Sequence, residues 1–203
     1  YNAAEGRYRS IDNRLELKGN EGNDDDFVGY ENRYNSFKAR FARETTYKNL
    51  MRIEKDGYQV YFSLLDKMPD SRTLMHAEAK ASKAPYSLSI DATELNINLE
   101  SCVKYTEVYD GMDLEYLVKA DRIKENITIR KHSQCYDFAY VITANGLILD
   151  LDVKTETIKF YKGTDIKREV PIFIMPAPYM YDAAGNTSYS VQYRLEQIND
   201  GKY

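Results

Sequence analysis

Apolar and polar residues alternate along most of this chain, and the alternation is densest over residues 103–130, VKYTEVYDGMDLEYLVKADRIKENITIR. There Val103, Tyr105, Val108, Leu114, Tyr116 and Val118 recur near every second residue, interrupted by the turn-forming run Asp110-Gly111-Met112-Asp113. Successive side chains of a strand point to opposite faces, so this spacing predicts a β-hairpin with one apolar face. A second turn at Lys119-Ala120-Asp121-Arg122 leads into residues 123–129, where Ile127 and Ile129 alternate with Asn126 and Thr128. A third strand is expected there, completing a three-stranded meander.

The same grammar extends to both sides. Tyr8, Ile11 and Leu15 surround an Asp12-Asn13 pair, which predicts a short strand, a turn and another short strand. Residues 36–43 place Phe37, Ala39 and Phe41 on one face and Lys38 and Arg40 on the other, a half-buried strand. Lys55-Asp56-Gly57 separates two further strand patterns and supplies a hairpin turn. From Tyr86 onward the alternation continues through Leu88 and Ile90, through Leu95, Ile97 and Leu99, and through Tyr136, Phe138, Tyr140 and Ile142. It resumes after Asn145-Gly146 with Leu147, Leu149 and Leu151, and runs on through Ile158 and Phe160 to a turn at residues 162–165. Pro171 lacks a backbone donor and belongs at an edge, a bulge or a strand end, with Ile172 and Ile174 inward. PAPYMYDAAGNTS reads as a loop, and SYSVQYRLE as a closing strand with Val191, Tyr193 and Leu195 inward.

One stretch departs from this pattern. Residues 69–83, PDSRTLMHAEAKASK, are rich in Ala and Lys and have too few large apolar residues for a buried helical stripe. They predict an exposed connection with one helical turn opening at Asp70-Ser71. The whole is expected to be an all-β protein: an antiparallel β-sandwich of about a dozen strands built from hairpins and meanders, with very little helix. Residues 1–203 read as a single domain cut from a larger chain, with a weak internal break near residues 69–85.

Composition narrows the function classes. A net charge of −4 gives no broad positive field for nucleic acid or anionic lipid, and no run approaches the roughly 18 apolar residues of a membrane-crossing helix. Neither nucleic acid nor membrane insertion is expected. Nineteen Tyr against no Trp is unusual usage, suited to strands with one dry and one wet face. The two cysteines, Cys102 and Cys135, would bridge only in an oxidising compartment, and two separate thiols is the plainer expectation.

Candidate chemistry is sparse. A Ser-His-Asp site needs a histidine beside its nucleophile, and His76 and His132 both fall in loop-like surroundings. These two with the cysteines lack zinc-site spacing, and Glu21 with Asp24, Asp25 and Asp26 lacks the spacing of a calcium loop and reads as a solvated acidic loop. No metal or cofactor is predicted. Asp110, Asp113, Glu115 and Glu125 are the acids available for glycoside chemistry, but Asp110 and Asp113 frame a turn, and Glu115 and Glu125 should point outward. No catalytic residues are assigned. Tyr179 and Tyr181 in the Pro-rich loop are the candidate binding residues, since Tyr rings stack on sugars and anchor contacts at small entropic cost. The competing reading has them plug the end of the sandwich. Asn126 and Asn186 begin glycosylation sequons, relevant only to a eukaryotic secretory route.

Several stretches taken together resemble a known family. GRYRSIDNRL, ENRYNSFKARFAR, SCVKYTEVYDGMDLEYLVKADRIKENITI, ANGLILDL and PAPYMYDAAG follow one another as in the non-repeat region near the start of Rhs/YD-repeat and wall-associated proteins, large surface proteins of Firmicutes. YTEVYDGMDLEY with the RIKENI after it, and PAPYMYDAAG, are the most specific pieces. The resemblance implies a non-catalytic β domain of an extracellular, secreted or cell-wall-associated bacterial protein. Its partners would be other domains of the same polypeptide; cell-wall or surface glycan is the partner expected on the alternative reading, a carbohydrate- or cell-wall-binding module using exposed Tyr. The matching residues Tyr109, Gly111, Asp113, Leu114, Tyr116, Lys124 and Glu125 are then turn and packing determinants, and no catalytic residue carries over. Cys102, Cys135 and the short connection around His76 depart from the pattern. The YD repeats are absent from this chain, so any shell or toxin activity lies outside it.

Overall fold

The computed structural model describes residues 10–20, 22, 27–83, 99–132, 136–163 and 170–203. Among these residues every regular element is a strand, and the fold is all-β and sandwich-like, built of antiparallel sheets. The expectations placed on Tyr8, on Glu21 and Asp24 to Asp26, on residues 86–98, on Cys135 and on Thr164-Asp165 lie outside the described residues. The chain divides into two compact units, one of Tyr1–Glu54 with Tyr61–Val141 and the other of Lys55–Val60 with Ile142–Tyr203.

The strands of the first half are β1 (Asp12–Lys18), β2 (Gly29–Tyr34), β3 (Lys38–Ala42), β4 (Met51–Lys55), β5 (Tyr58–Leu64) and β6 (Lys80–Lys83). The predicted meander follows as β7 (Ser101–Tyr109), β8 (Met112–Val118) and β9 (Ile123–Ile129), and then β10 (Tyr140–Thr143). One sheet is ordered β1-β2-β3-β4-β5-β10 and another β6-β7-β8-β9. The meander has the expected register: Leu114 faces Tyr105 on one side and Ile127 on the other, and Asp110-Gly111 forms the tight turn, with Gly111 at φ 70°. Val103, Tyr105, Val108, Leu114, Tyr116 and Val118 are all fully buried, each worth about 1.5–3 kcal/mol of apolar transfer.

Sequence and structure part company at several points in the first unit. Asp12-Asn13 lies inside β1 and makes no turn, because the buried Asn13 is held by side-chain amides and a carbonyl. Its Oδ1 accepts from Asn32 and Asn35, and its Nδ2 donates to the Leu99 carbonyl at 2.8 Å. Phe37, Ala39 and Phe41 are buried as expected, but Arg40 on the opposite face is buried too. It stands opposite Glu31 on β2 and Arg52 on β4, and Glu31 Oε2 accepts from both guanidinium groups, at 2.9 and 3.1 Å. An ionic row thus replaces the wet face. Residues 69–79 contain no helical turn. The segment opens with a tight turn, Ser71 N donating to Met68 O with Ser71 at φ 75°, and beyond it the backbone's polar groups find partners at a distance: Met75 N donates to Val108 O, Ala79 N to Arg43 O, and the Thr45 hydroxyl to Met75 O. The alternation over residues 136–142 yields strand only from Tyr140, and Tyr136 is exposed.

The second unit holds β11 (Leu147–Asp152), β12 (Thr157–Lys162) and β13 (Phe173–Met175) as one sheet, and β14 (Met180–Tyr181) with β15 (Thr187–Ser188) as another. Its core comprises Val60, Ile142, Leu147, Leu149, Ile158, Phe160 and Tyr203. Pro171 precedes β13, a position where its missing donor costs no ladder bond. Ile174, expected inward, is 55 % exposed on β13, at the edge of its sheet. SYSVQYRLE is not a ladder strand, although Val191, Tyr193 and Leu195 are half-buried and alternate with exposed neighbours. Its side chains keep the period, but beyond Ser188, the last residue of β15, the backbone enters no ladder; Tyr193 instead donates its N–H to Glu156 and its hydroxyl to the Pro176 carbonyl.

Candidate functional site

The segment read as a loop, PAPYMYDAAGNTS, contains a small hairpin. Met180 pairs with Ser188 and Tyr181 with Thr187, and continuing that register by one pair sets Tyr179 opposite Tyr189. Tyr179 and Tyr181, two residues apart, share a face by strand period, and Tyr189 joins them from across the ladder. The ring centroids confirm the grouping: Tyr179 lies 6.4 Å from Tyr181 and 6.2 Å from Tyr189, with ring planes inclined by only 32° and 41°. The rings are open to solvent, at 48 % exposure for Tyr179, 60 % for Tyr181 and 77 % for Tyr189. The alternative in which Tyr179 and Tyr181 plug the end of a sandwich is therefore wrong. A plug must be dry.

The turn that presents the rings is built by Asp182. Its Oδ1 accepts from the backbone N–H groups of Ala184 and Asn186, and its Oδ2 from the Asn186 side-chain amide, at 2.8 to 2.9 Å. Backbone bonds from Asp182 N to Asn186 O and from Gly185 N to Asp182 O close the loop, and Gly185 supplies the left-handed residue at φ 85°. The Asn186 amide first, and the backbone donors with it, hold the Asp182 carboxyl below its ordinary value near 3.8. Sequence reasoning found Tyr179 and Tyr181 but missed Tyr189. The available signal was the near-symmetric placement of Tyr residues about DAAGN, an Asp and Gly turn flanked by short strands.

The acids weighed for glycoside chemistry are engaged by different partners. Asp113, buried, accepts from Glu107 N at 2.9 Å and lies 3.1 Å from Arg130 and 3.6 Å from Lys104. Asp110 pairs with Lys131 at the turn. Glu115 accepts from the Asn126 amide at 2.8 Å and from the Cys102 thiol. Glu125 does not point away as expected: it sits opposite Tyr116, on the core face, and its carboxylate accepts from the Tyr140 hydroxyl. Tyr140 in turn lies 3.2 Å, hydroxyl to hydroxyl, from Tyr116. Although Glu125 as a residue is exposed, these rings crowd its carboxylate, and burial pushes its carboxyl above the usual range.

The remaining candidates take local roles. His76 Nε2 is 2.7 Å from Glu44 on an exposed surface, and the His132 ring meets Tyr136 edge to face. Cys102 is a free, buried thiol whose pKa burial pushes up to about 11, far from a reactive thiolate. Among the described residues no three His, Cys, Asp or Glu side chains gather as a metal site, and no helix is long and apolar enough to cross a membrane. Comparison with protein-family models, with curated proteins and with solved structures finds no match for this chain.

Proposed function

We propose that the chain is a non-catalytic structural and interaction module of a large secreted, surface-associated bacterial polypeptide of the YD-repeat kind. The observation that carries the reading is the tyrosine hairpin: three exposed rings on one face of a turn already fixed by five hydrogen bonds. A surface with its rings already ordered gives up little conformational entropy on contact, which suits a binding role. Two further features support it. The resemblance of YTEVYDGMDLEY and PAPYMYDAAG points to such a parent chain, and the acids around the β7–β8 hairpin serve turns and ladder.

The test is turnover. The purified chain is assayed against panels of ester, glycoside and phosphate substrates, and no activity above a buffer blank is expected. Turnover that copurifies with the chain and disappears in folded Glu115→Gln or Asp113→Asn variants overturns the proposal.

A further inference from the structure

We infer that Tyr179, Tyr181 and Tyr189 form a stacking platform for an uncharged glycan chain. The inference rests on the interaction-module reading and names the partner's chemistry. Across residues 176–190 the sole ionisable groups besides the tyrosine hydroxyls belong to Asp182. Both its oxygens are taken up by the turn. The hairpin therefore offers no cation to a phosphate, an acidic polysaccharide or an acidic peptide, and no available carboxylate to a basic one. What it does offer is three electron-rich ring faces, those of Tyr181 and Tyr189 inclined by 32° and 41° to that of Tyr179, with centroids 6.4 and 6.2 Å from it. Such faces attract the weakly positive C–H edges of a pyranose ring, while phenol hydroxyls at the rim exchange hydrogen bonds with sugar hydroxyls. Two rings along one strand and a third across the ladder cover more than one pyranose, which suits adjoining sugars of a chain better than a single monosaccharide. Single-stranded nucleic acid needs a positive groove beside the stacking rings, and the hairpin's own residues supply no Lys or Arg toward one.

The experiment titrates the intact 203-residue chain with cellohexaose, chitohexaose and mannohexaose by calorimetry, with oligogalacturonate and a polyproline peptide as comparisons. Saturable binding is expected for at least one neutral oligosaccharide, with weaker or no binding to the acidic one. Tyr181→Ala and Tyr189→Ala each weaken it about tenfold or more, Tyr181→Phe changes it by less than about threefold, and Tyr34→Ala on β2 leaves it unchanged. Amide spectra of β11 and β12 report that the variants remain folded. Flat titrations with every neutral oligosaccharide, binding indifferent to the ring variants, or binding to polyproline alone would each overturn the inference. In any of these outcomes the absence of turnover would leave the interaction-module reading standing, whereas turnover lost on Glu115→Gln would remove it.

Discussion

Glu31 is the residue whose surroundings depart furthest from what alternation predicts. The period of two puts Arg40 and Arg52 on the wet face of their strands, yet both guanidinium groups are buried, with Glu31 the carboxylate between them. Local pattern was blind to this because pairing is non-local: Glu31, Arg40 and Arg52 align only once β2, β3 and β4 are in register. Removing the shared anion takes a charge-assisted partner from two buried guanidinium groups, so Glu31→Ala is expected to destabilise the fold by roughly 3–5 kcal/mol, read as a lowered midpoint of urea unfolding, and a shift below about 1 kcal/mol would contradict it. Glu125 makes a second residue-level case, with the opposite sign. Its carboxyl is raised in the folded state, so its contribution to stability is fully present below the ordinary value of 4.5 and is lost as pH rises through the raised value. Glu125→Gln should therefore be more stable than the parent at neutral pH and should flatten the fall in melting temperature between mildly acid and neutral conditions. An unchanged pH profile would disprove the assignment.

At the level of elements, the β7–β8 hairpin was legible almost residue by residue, because both strands bury one face and a Gly turn joins them. The exception is also written in the sequence. The apolar series steps from Tyr105 to Val108, breaking the period, and there β7 bulges: Glu107 adopts φ 58° and the pairing shifts between Tyr105 and Tyr109. Asp113, across the ladder, receives the freed Glu107 N–H. The β14–β15 hairpin was not legible, since two-residue strands carry no measurable period, and its order comes from the turn instead. Asp182 lies below its ordinary carboxyl value, so the order it imposes is present above that value and is lost only as pH falls through the lowered one. Exchange of the Ala184 and Asn186 amides should stay slow from neutral to mildly acid pH and accelerate in strong acid. Asp182→Ala should give the fast rate at every pH without lowering the melting temperature of the molecule.

For the whole molecule, alternation identified the all-β class and most of the buried residues, but it could not say which residues share a core. Leu147, Leu149, Ile158 and Phe160 look like any other inward-facing series, and nothing in their spacing separates them from Val103 or Leu114. Separation arises from chain routing, because the second unit gathers Lys55–Val60 with Ile142–Tyr203 around its own buried side chains. Phe160, 1 % exposed and edge-on to Phe173 at 6.0 Å, is central to that second core. Truncating a buried Phe loses the transfer energy of the ring and leaves a cavity, about 3–5 kcal/mol in all. Two compact units with separate cores should not share that loss equally, since cooperative opening follows contiguous buried structure. Native-state hydrogen exchange on Phe160→Ala should show amides of β11 and β12 losing most of their protection while those of β7 and β8 keep theirs. An equal loss in both would mean that the chain opens as one unit, and that the two cores are thermodynamically a single one.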